Sequence, residues 1–238
     1  MARVGAVSIT RPLLRGAGVL AGALVAVQTW RLRRAMTMEL DHAAYWRRRR
    51  RSPGAVLLVA LGDSLAQGMG AIHPEQSWAG RLADELAARR GTTVRIVNLA
   101  VCGATVADVL EHQLPELPPA AFTDPTAVVA LAIGTNDAAT DTDPEVFRAR
   151  LGALCDALPA GSLVADVPDL QRGAVRQHGA RLSAVAREVV AARSDLRPVA
   201  LEEATHRMRI WEAGPDLAHP SGLGYRRYGR AFSAALRA

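Results

Sequence analysis

From residue 55 onward, short apolar runs alternate with stretches of helical period, and this alternation restricts the possible folds more than any other feature of the chain. The runs at 56–61, 94–99, 127–133, 163–167 and 198–201 read as strands. The intervening stretches at 77–90, 105–114, 143–158 and 174–192, and a last one from 221 to the C-terminus, read as helices. Local punctuation agrees. Gly91 follows one helical period, Pro115 ends another, and Asp143-Pro144-Glu145 is a helix start with Asp as N-cap and Pro at the first helical position. Within the strands the apolar residues are continuous instead of alternating, as expected when both faces of a sheet are covered. Strand and helix in turn at this spacing imply a parallel sheet with right-handed crossovers and helices on both faces.

Charge divides the chain in two. Every basic residue is an arginine, and residues 1–54 hold eleven of them against Glu39 and Asp41, whereas the remaining 18 face 21 acids. The basic excess therefore belongs to the leader. A nucleic-acid-binding domain would carry its positive stripe on the folded surface, so no nucleic-acid partner is expected. Cys102 and Cys155 provide neither a disulfide framework nor metal-ligand spacing, and a pairing between them stays open at this level. Gly68-Met69-Gly70 lacks the lysine of a phosphate loop and the spacing of a dinucleotide fingerprint.

The leader, residues 1–54, has its own organisation. Gly16 to Trp30 is a 15-residue, mostly apolar run with arginines on both sides. A bilayer core takes about 20 residues of helix, so the segment 13–34 suits a marginal span. An uncleaved membrane anchor is the favoured reading; a signal peptide, and hence secretion, is the alternative, and a surface-lying helix is a third. The arginines after the run favour a cytoplasmic face for the rest of the chain. Arg47–Arg51, followed by Ser-Pro-Gly, reads either as a patch for anionic lipid headgroups or as a solvated linker.

Polar residues collect where the first three strands end. Gly62-Asp63-Ser64-Leu65 follows the first, Asn98 to Thr105 with Gly103 follows the second, and Gly134-Thr135-Asn136-Asp137 follows the third; Asp216-Leu217-Ala218-His219 precedes the last helix. In a parallel sheet the three loops lie side by side at one edge, the edge at which open α/β sheets bind ligands. These four blocks, in this order and spacing, resemble the SGNH (GDSL) hydrolase family over residues 55–238. The resemblance implies a flavodoxin-like three-layer α/β/α domain with a five-stranded parallel sheet, preceded here by the N-terminal helical leader.

It also implies a serine esterase or acyl hydrolase that cleaves carboxylic esters or thioesters through an acyl-enzyme. Ser64 corresponds to the nucleophile, and a serine hydroxyl needs a base to take its proton. His219 corresponds to that base, and Asp216, three residues earlier, to the carboxylate that fixes the ring tautomer. The backbone N–H groups of Ser64 and Gly103 and the side-chain amide of Asn136 correspond to an oxyanion hole. Asp63 and Asp137 read as structural carboxylates, and Cys102 as a packing residue. His42, His73, His112, His178 and His206 read as surface or structural. No cofactor or metal is expected. The expected partner is a small-molecule ester or a lipid-like acyl substrate, handled by a monomer. Two other functions fit the same residues: a membrane-tethered acyl- or glycan-binding module without turnover, and an acyltransferase using the same intermediate.

Overall fold

The computed structural model describes residues 26, 27, 29, 37–171 and 173–237. Helix α1 (37–49) leads into strand β1 (Val56–Gly62), then α2 (Ser64–Gln67), α3 (Trp78–Arg90), β2 (Val94–Asn98), α4 (Val106–Asp108), α5 (Ala120–Thr123) and β3 (Val128–Ala132). The second half runs α6 (Thr135–Ala139), α7 (Pro144–Ala157), β4 (Leu163–Ala165), α8 (Gly173–Ala191), β5 (Arg197–Val199), α9 (Leu201–Thr205) and α10 (Tyr225–Ala235). All strand pairs are parallel, in the order β2-β1-β3-β4-β5. This is the expected five-stranded flavodoxin-like sheet, and it reverses direction of winding between β1 and β3, the point at whose carboxyl ends open α/β sheets bind ligands.

Every residue of β1 is buried because its alternate side chains enter two separate cores. Leu58 and Ala60 face a core shared with Trp78, Leu82, Tyr225 and Phe232 of α3 and α10. Val59 and Leu61 face the other, with Phe147, Leu151, Leu182 and Val185 of α7 and α8. The Trp78 and Phe232 rings stack at 4.4 Å between centroids, clamping α3 to α10. Ends fall where the sequence places them. Ser77 Oγ accepts from the Gly80 N–H at 3.2 Å, Gly91 caps α3 at φ +59°, and Asp143 Oδ1 accepts from the Glu145 N–H at 2.8 Å.

Four features differ from the sequence expectation. The helix expected at 105–114 is only one turn of α-helix before it widens into a π turn at Val109–Gln113 and tightens at Leu114–Glu116. The widening turns Gln113 inward, where its Oε1 accepts from the Gly62 N–H at 2.9 Å and its Nε2 donates to the Gly62 carbonyl at 2.8 Å. The C-terminal helix begins at Tyr225 and not at 221, because Ser221 N–H donates to the Glu212 carbonyl at 2.7 Å and holds 220–221 in the preceding loop. Short helices α2, α5, α6 and α9 lie outside the stretches read as helices, and Leu201, read as the end of the last strand, opens α9.

The fourth difference is α1, in a region read as leader and linker. Trp46 is 2 % exposed and joins the α3/α10 core, while His42 Nδ1 and Trp46 Nε1 both meet the Gln67 carbonyl at 3.1 Å. Arg47, Arg48, Arg50 and Arg51 are exposed, but Arg49 turns back and donates to the Val94 carbonyl at 3.4 Å. Most of the 13–34 segment lies outside the described residues; among those described, no helix is long and apolar enough to cross a membrane. Cys102 and Cys155 are both free thiols.

Candidate active site

Ser64 stands at the first residue of α2, immediately beyond β1. Asp63 is the N-cap: its Oδ1 accepts from the Leu65 N–H at 2.9 Å, which starts the helix and aims the Ser64 side chain over the sheet edge. Gly62, at φ +148°, makes the turn possible, since a Cβ there would lie 2.3 Å from the Ala132 carbonyl oxygen. Ser64 itself is 8 % exposed.

The partner imidazole arrives from far along the chain. Residues 212–221 form a closed loop, cinched by the antiparallel bridge between Ala213 and Pro220 and by the Gly214 N–H donating to the His219 carbonyl at 2.7 Å. Its base is fastened to α10 by a two-pronged ion pair between Arg227 and Glu212, at 2.7 and 2.9 Å. The loop seats against Gly70, where an added Cβ would lie 2.7 Å from His219 Cβ. Tyr225 holds this neighbouring segment by donating its hydroxyl to the Met69 carbonyl at 2.8 Å.

The result is a continuous chain of contacts. Ser64 Oγ lies 2.9 Å from His219 Nε2, and His219 Nδ1 lies 2.7 Å from Asp216 Oδ2. Asp216 Oδ1 also accepts from the backbone N–H groups of Ala218 and His219 at 3.0 and 2.9 Å. Partial burial pushes the Asp216 carboxyl up, but the ring and the two backbone donors outweigh it and hold it at about 2. At neutral pH it is a carboxylate aimed at the ring nitrogen distant from the serine.

Three hydrogen-bond donors belong to the loops that follow β1, β2 and β3. Among the described residues, the backbone N–H groups of Ser64 and Gly103 have no acceptor. Gly103 sits at φ +81° with nothing within 4 Å of where a Cβ would be, so glycine is required by the backbone conformation and not by crowding. Asn136, in α6, donates from Nδ2 to the Ala104 carbonyl at 2.9 Å and makes a longer, weaker contact with Asp63 Oδ2 at 3.4 Å. One amide hydrogen thus fixes the side chain beside the Gly103 loop, and the other is only loosely held.

Two buried carboxylates brace this arrangement, in line with their structural reading. Asp63 is fully buried, which raises its carboxyl despite hydrogen bonds from Thr135 Oγ1 and the Leu65 N–H. Asp137 is also fully buried; its Oδ2 accepts from the Val106 N–H at 3.0 Å and burial lifts its carboxyl to about 6. Cys102, beside Gly103, has its thiol pushed up to about 12 by burial and by nearby carboxylates, which makes it a poor nucleophile. The sequence reading missed Thr135, although it stands inside a quoted block, and Gln113, which has no local signal at all.

The site is open. Two adjoining depressions of about 400 and 210 Å³ share Val101, Cys102, His112 and Gln113 in their walls. Gly103 borders the smaller one, and neither Ser64 nor His219 lines either.

Comparison with known proteins agrees with this picture. The lipase Lip_vut3 from a goat rumen metagenome shares 16 % identity over 76 % of this chain and 97 % of its own, with a TM-score of 0.58. A variant of the acetyl xylan esterase Axe2 from Geobacillus stearothermophilus shares 18 % identity over 76 % and 94 %, at 0.57. TesA shares 23 % identity over 76 % and 98 %, at 0.58. At these identities the likeness is one of fold. No curated protein sequence matches the chain. The family model described as the GDSL-like lipase/acylhydrolase family matches residues 60–227, a span that begins inside β1, ends in α10 and takes in all four motif blocks. The chain therefore belongs to the GDSL-like lipase/acylhydrolase family of ester hydrolases.

Proposed function

We propose that Ser64 is the nucleophile of an acyl-enzyme mechanism, with His219 as general base and acid and Asp216 as its orienting carboxylate. The observation that carries this reading is the unbroken path from Ser64 Oγ through the His219 ring to Asp216, with steps of 2.9 and 2.7 Å. Nε2 takes the serine proton as Oγ attacks the ester carbonyl, and the alkoxide leaves with that proton. Water then repeats the sequence on the acyl-serine and releases the acid. Asp216 keeps the Nδ1–H tautomer in place and steadies the imidazolium. The oxyanion formed at each stage lies toward the Ser64 and Gly103 N–H groups and the loosely held hydrogen of Asn136 Nδ2. Such donors commonly contribute about 3 to 4 kcal/mol each.

Residues 55–238 are proposed as the hydrolase domain and the segment 13–34 as its membrane attachment, with small or lipid-like acyl esters as substrates. The apolar run and its flanking arginines support the attachment. Hydrolysis of p-nitrophenyl acetate and butyrate tests the chemistry. The wild-type chain turns both over, and Ser64→Ala loses at least about a thousandfold in kcat. Full activity in that variant removes the proposal.

A further inference from the structure

The helix that carries Ser64 is a single turn, Ser64–Gln67, too short to satisfy its own carbonyls. The Met69 and Gly68 N–H groups take the carbonyls of Ser64 and Leu65, at 3.0 and 3.3 Å. Those of Ala66 and Gln67 are met from other elements. Asn98 Nδ2, at the end of β2, donates to the Ala66 carbonyl at 2.9 Å, and two side chains of α1, His42 through Nδ1 and Trp46 through Nε1, hold the Gln67 carbonyl at 3.1 Å each. A carbonyl only accepts, so the His42 ring carries its proton on Nδ1. Burial keeps that ring below the usual histidine range, and it is neutral at pH 7. Helix α1 precedes residue 60, so this clamp comes from a part of the chain that the family model does not match.

The side chains of Gln67 and Asn98 extend the same hold to the loop that carries Gly103. Gln67 Nε2 donates to the Ala100 carbonyl, and Asn98 Oδ1 accepts from the Ala100 N–H at 3.1 Å. Both backbone groups of Ala100 are therefore taken by residues that also fix the end of α2. The next residue, Val101, donates its N–H to the Gly62 carbonyl at 3.2 Å, and its own carbonyl accepts from the Ala104 N–H at 3.1 Å, closing the turn that presents Gly103. A short path thus joins the two backbone donors of the oxyanion hole: three residues from Ser64 to Gln67, the Gln67 amide, and three residues from Ala100 to Gly103. Among the described residues, removing that amide leaves Asn98 as the hydrogen-bonded tie between α2 and residues 98–104.

We propose that Gln67 is a positioning residue that sets the spacing between the Ser64 and Gly103 N–H groups, and that α1 is the clamp that seats it, so that the catalytic unit begins at residue 37. The role rests on the oxyanion assignment above and adds what holds that hole in shape. Oxyanion donors act only when they lie about 2.7 to 3.1 Å from the developing charge, and a misplacement of about 1 Å can cost about a hundredfold in rate. A tie running through one side chain controls a distance of this order.

Gln67→Met in the full chain tests it. Methionine keeps the unbranched shape and removes the amide donor; it also removes Oε1, which is buried without a partner among the described residues, so the lost hydrogen bond is offset in folding. A second variant, His42→Phe with Trp46→Phe, removes both donors to the Gln67 carbonyl while keeping two rings in the space they fill. Each is melted to confirm folding and compared with the wild type and Ser64→Ala for hydrolysis of p-nitrophenyl butyrate and for inhibition by propyl trifluoromethyl ketone. Ser64 Oγ adds to the carbonyl carbon of that ketone, its proton passes to His219 Nε2, and the ketone oxygen becomes an oxyanion, so the inhibition constant reads the hole directly. In Gln67→Met, kcat should fall about tenfold to a hundredfold with KM within about twofold, and the inhibition constant should rise by the same factor. The double variant should show the same joint change at about three- to tenfold. A folded Gln67→Met with unchanged kcat, or with reduced kcat and an unchanged inhibition constant, overturns the positioning role. Should Gln67→Met not fold, the double variant decides on the same two readouts. An unaffected double variant beside an impaired Gln67→Met overturns the part given to α1. Full activity in Ser64→Ala overturns the underlying reading of the site, whereas an inactive Ser64→Ala beside two unimpaired variants overturns the inference about Gln67 and α1 alone.

Discussion

Asp137 offers a sharp test of how the site is braced. It is fully buried, its Oδ2 accepts from the Val106 N–H, and among the described residues its Oδ1 has no partner. Burial raises its carboxyl from an ordinary 3.8 to about 6. For an acid raised on folding, the folded state holds the proton more tightly than the unfolded chain. The contribution is therefore fully present below about pH 4 and is lost as pH rises through about 6. The whole shift corresponds to about 3 kcal/mol, of which about 2.5 kcal/mol falls between pH 4 and pH 8. Asp137→Asn removes this dependence. Its oxygen can still accept from Val106, while its amide hydrogens occupy the orphaned position at a cost of about 1 to 3 kcal/mol that does not vary with pH. Urea titrations of both proteins at pH 4 and pH 8 give the difference directly. The variant should gain about 2.5 kcal/mol on the wild type as the pH rises across that window, whatever its absolute offset. An offset that is the same at both pH values, within about 0.5 kcal/mol, refutes the burial argument.

Other expectations are more direct. Asp216→Asn should lower kcat by about three to four orders of magnitude, because the ring loses its anionic acceptor and takes the wrong tautomer, and should cost about 1 to 2 kcal/mol of folding stability at neutral pH, because the folded state favours the carboxylate; steady-state kinetics and urea titration check the two effects. With the Asp216 carboxyl held at about 2, it stays ionised throughout the usual assay range. Any acid limb in the rate profile above about pH 4 therefore belongs to another group, and substituting Asp216 should not be needed to explain it. Trp46→Ala should cost about 3 to 5 kcal/mol, as for a large side chain removed from a core, even though residue 46 precedes the first strand; a loss below about 1 kcal/mol by urea titration would mean that α1 is not part of the folded unit.

Much of this molecule is legible in its sequence because its signals are local and mutually consistent. Val56 to Leu61 reads as a doubly buried strand next to a Gly-Asp-Ser turn because it is short, apolar and rich in valine and leucine, and Asp143-Pro144 fixes the start of α7 by its own chemistry. Parallel strands alone place Ser64, Gly103 and Asn136 at one edge, and the resemblance to the family adds Asp216 and His219 to them. What escaped is tertiary in origin. Tyr45 and Trp46 stand beside five arginines, and only the core between α3 and α10 and the carbonyl of Gln67, 21 residues on, explain why that segment is a docked helix. Gln113 widens its helix because both polar groups of Gly62 need partners, a requirement imposed from 51 residues away. The late start of α10 has the same character, since Ser221 is claimed by the loop that carries His219.

The central claim is that the hydroxyl at 64 is the group made reactive by this arrangement. Incubation with a fluorophosphonate, followed by peptide mass spectrometry and assay of the same samples, tests it most directly. One adduct is expected, on the peptide containing Ser64, formed in proportion to the loss of esterase activity and slowed strongly in Asp216→Asn. Complete inactivation with Ser64 unmodified, or a fully modified Ser64 in a protein that still hydrolyses p-nitrophenyl butyrate at the original rate, would contradict it.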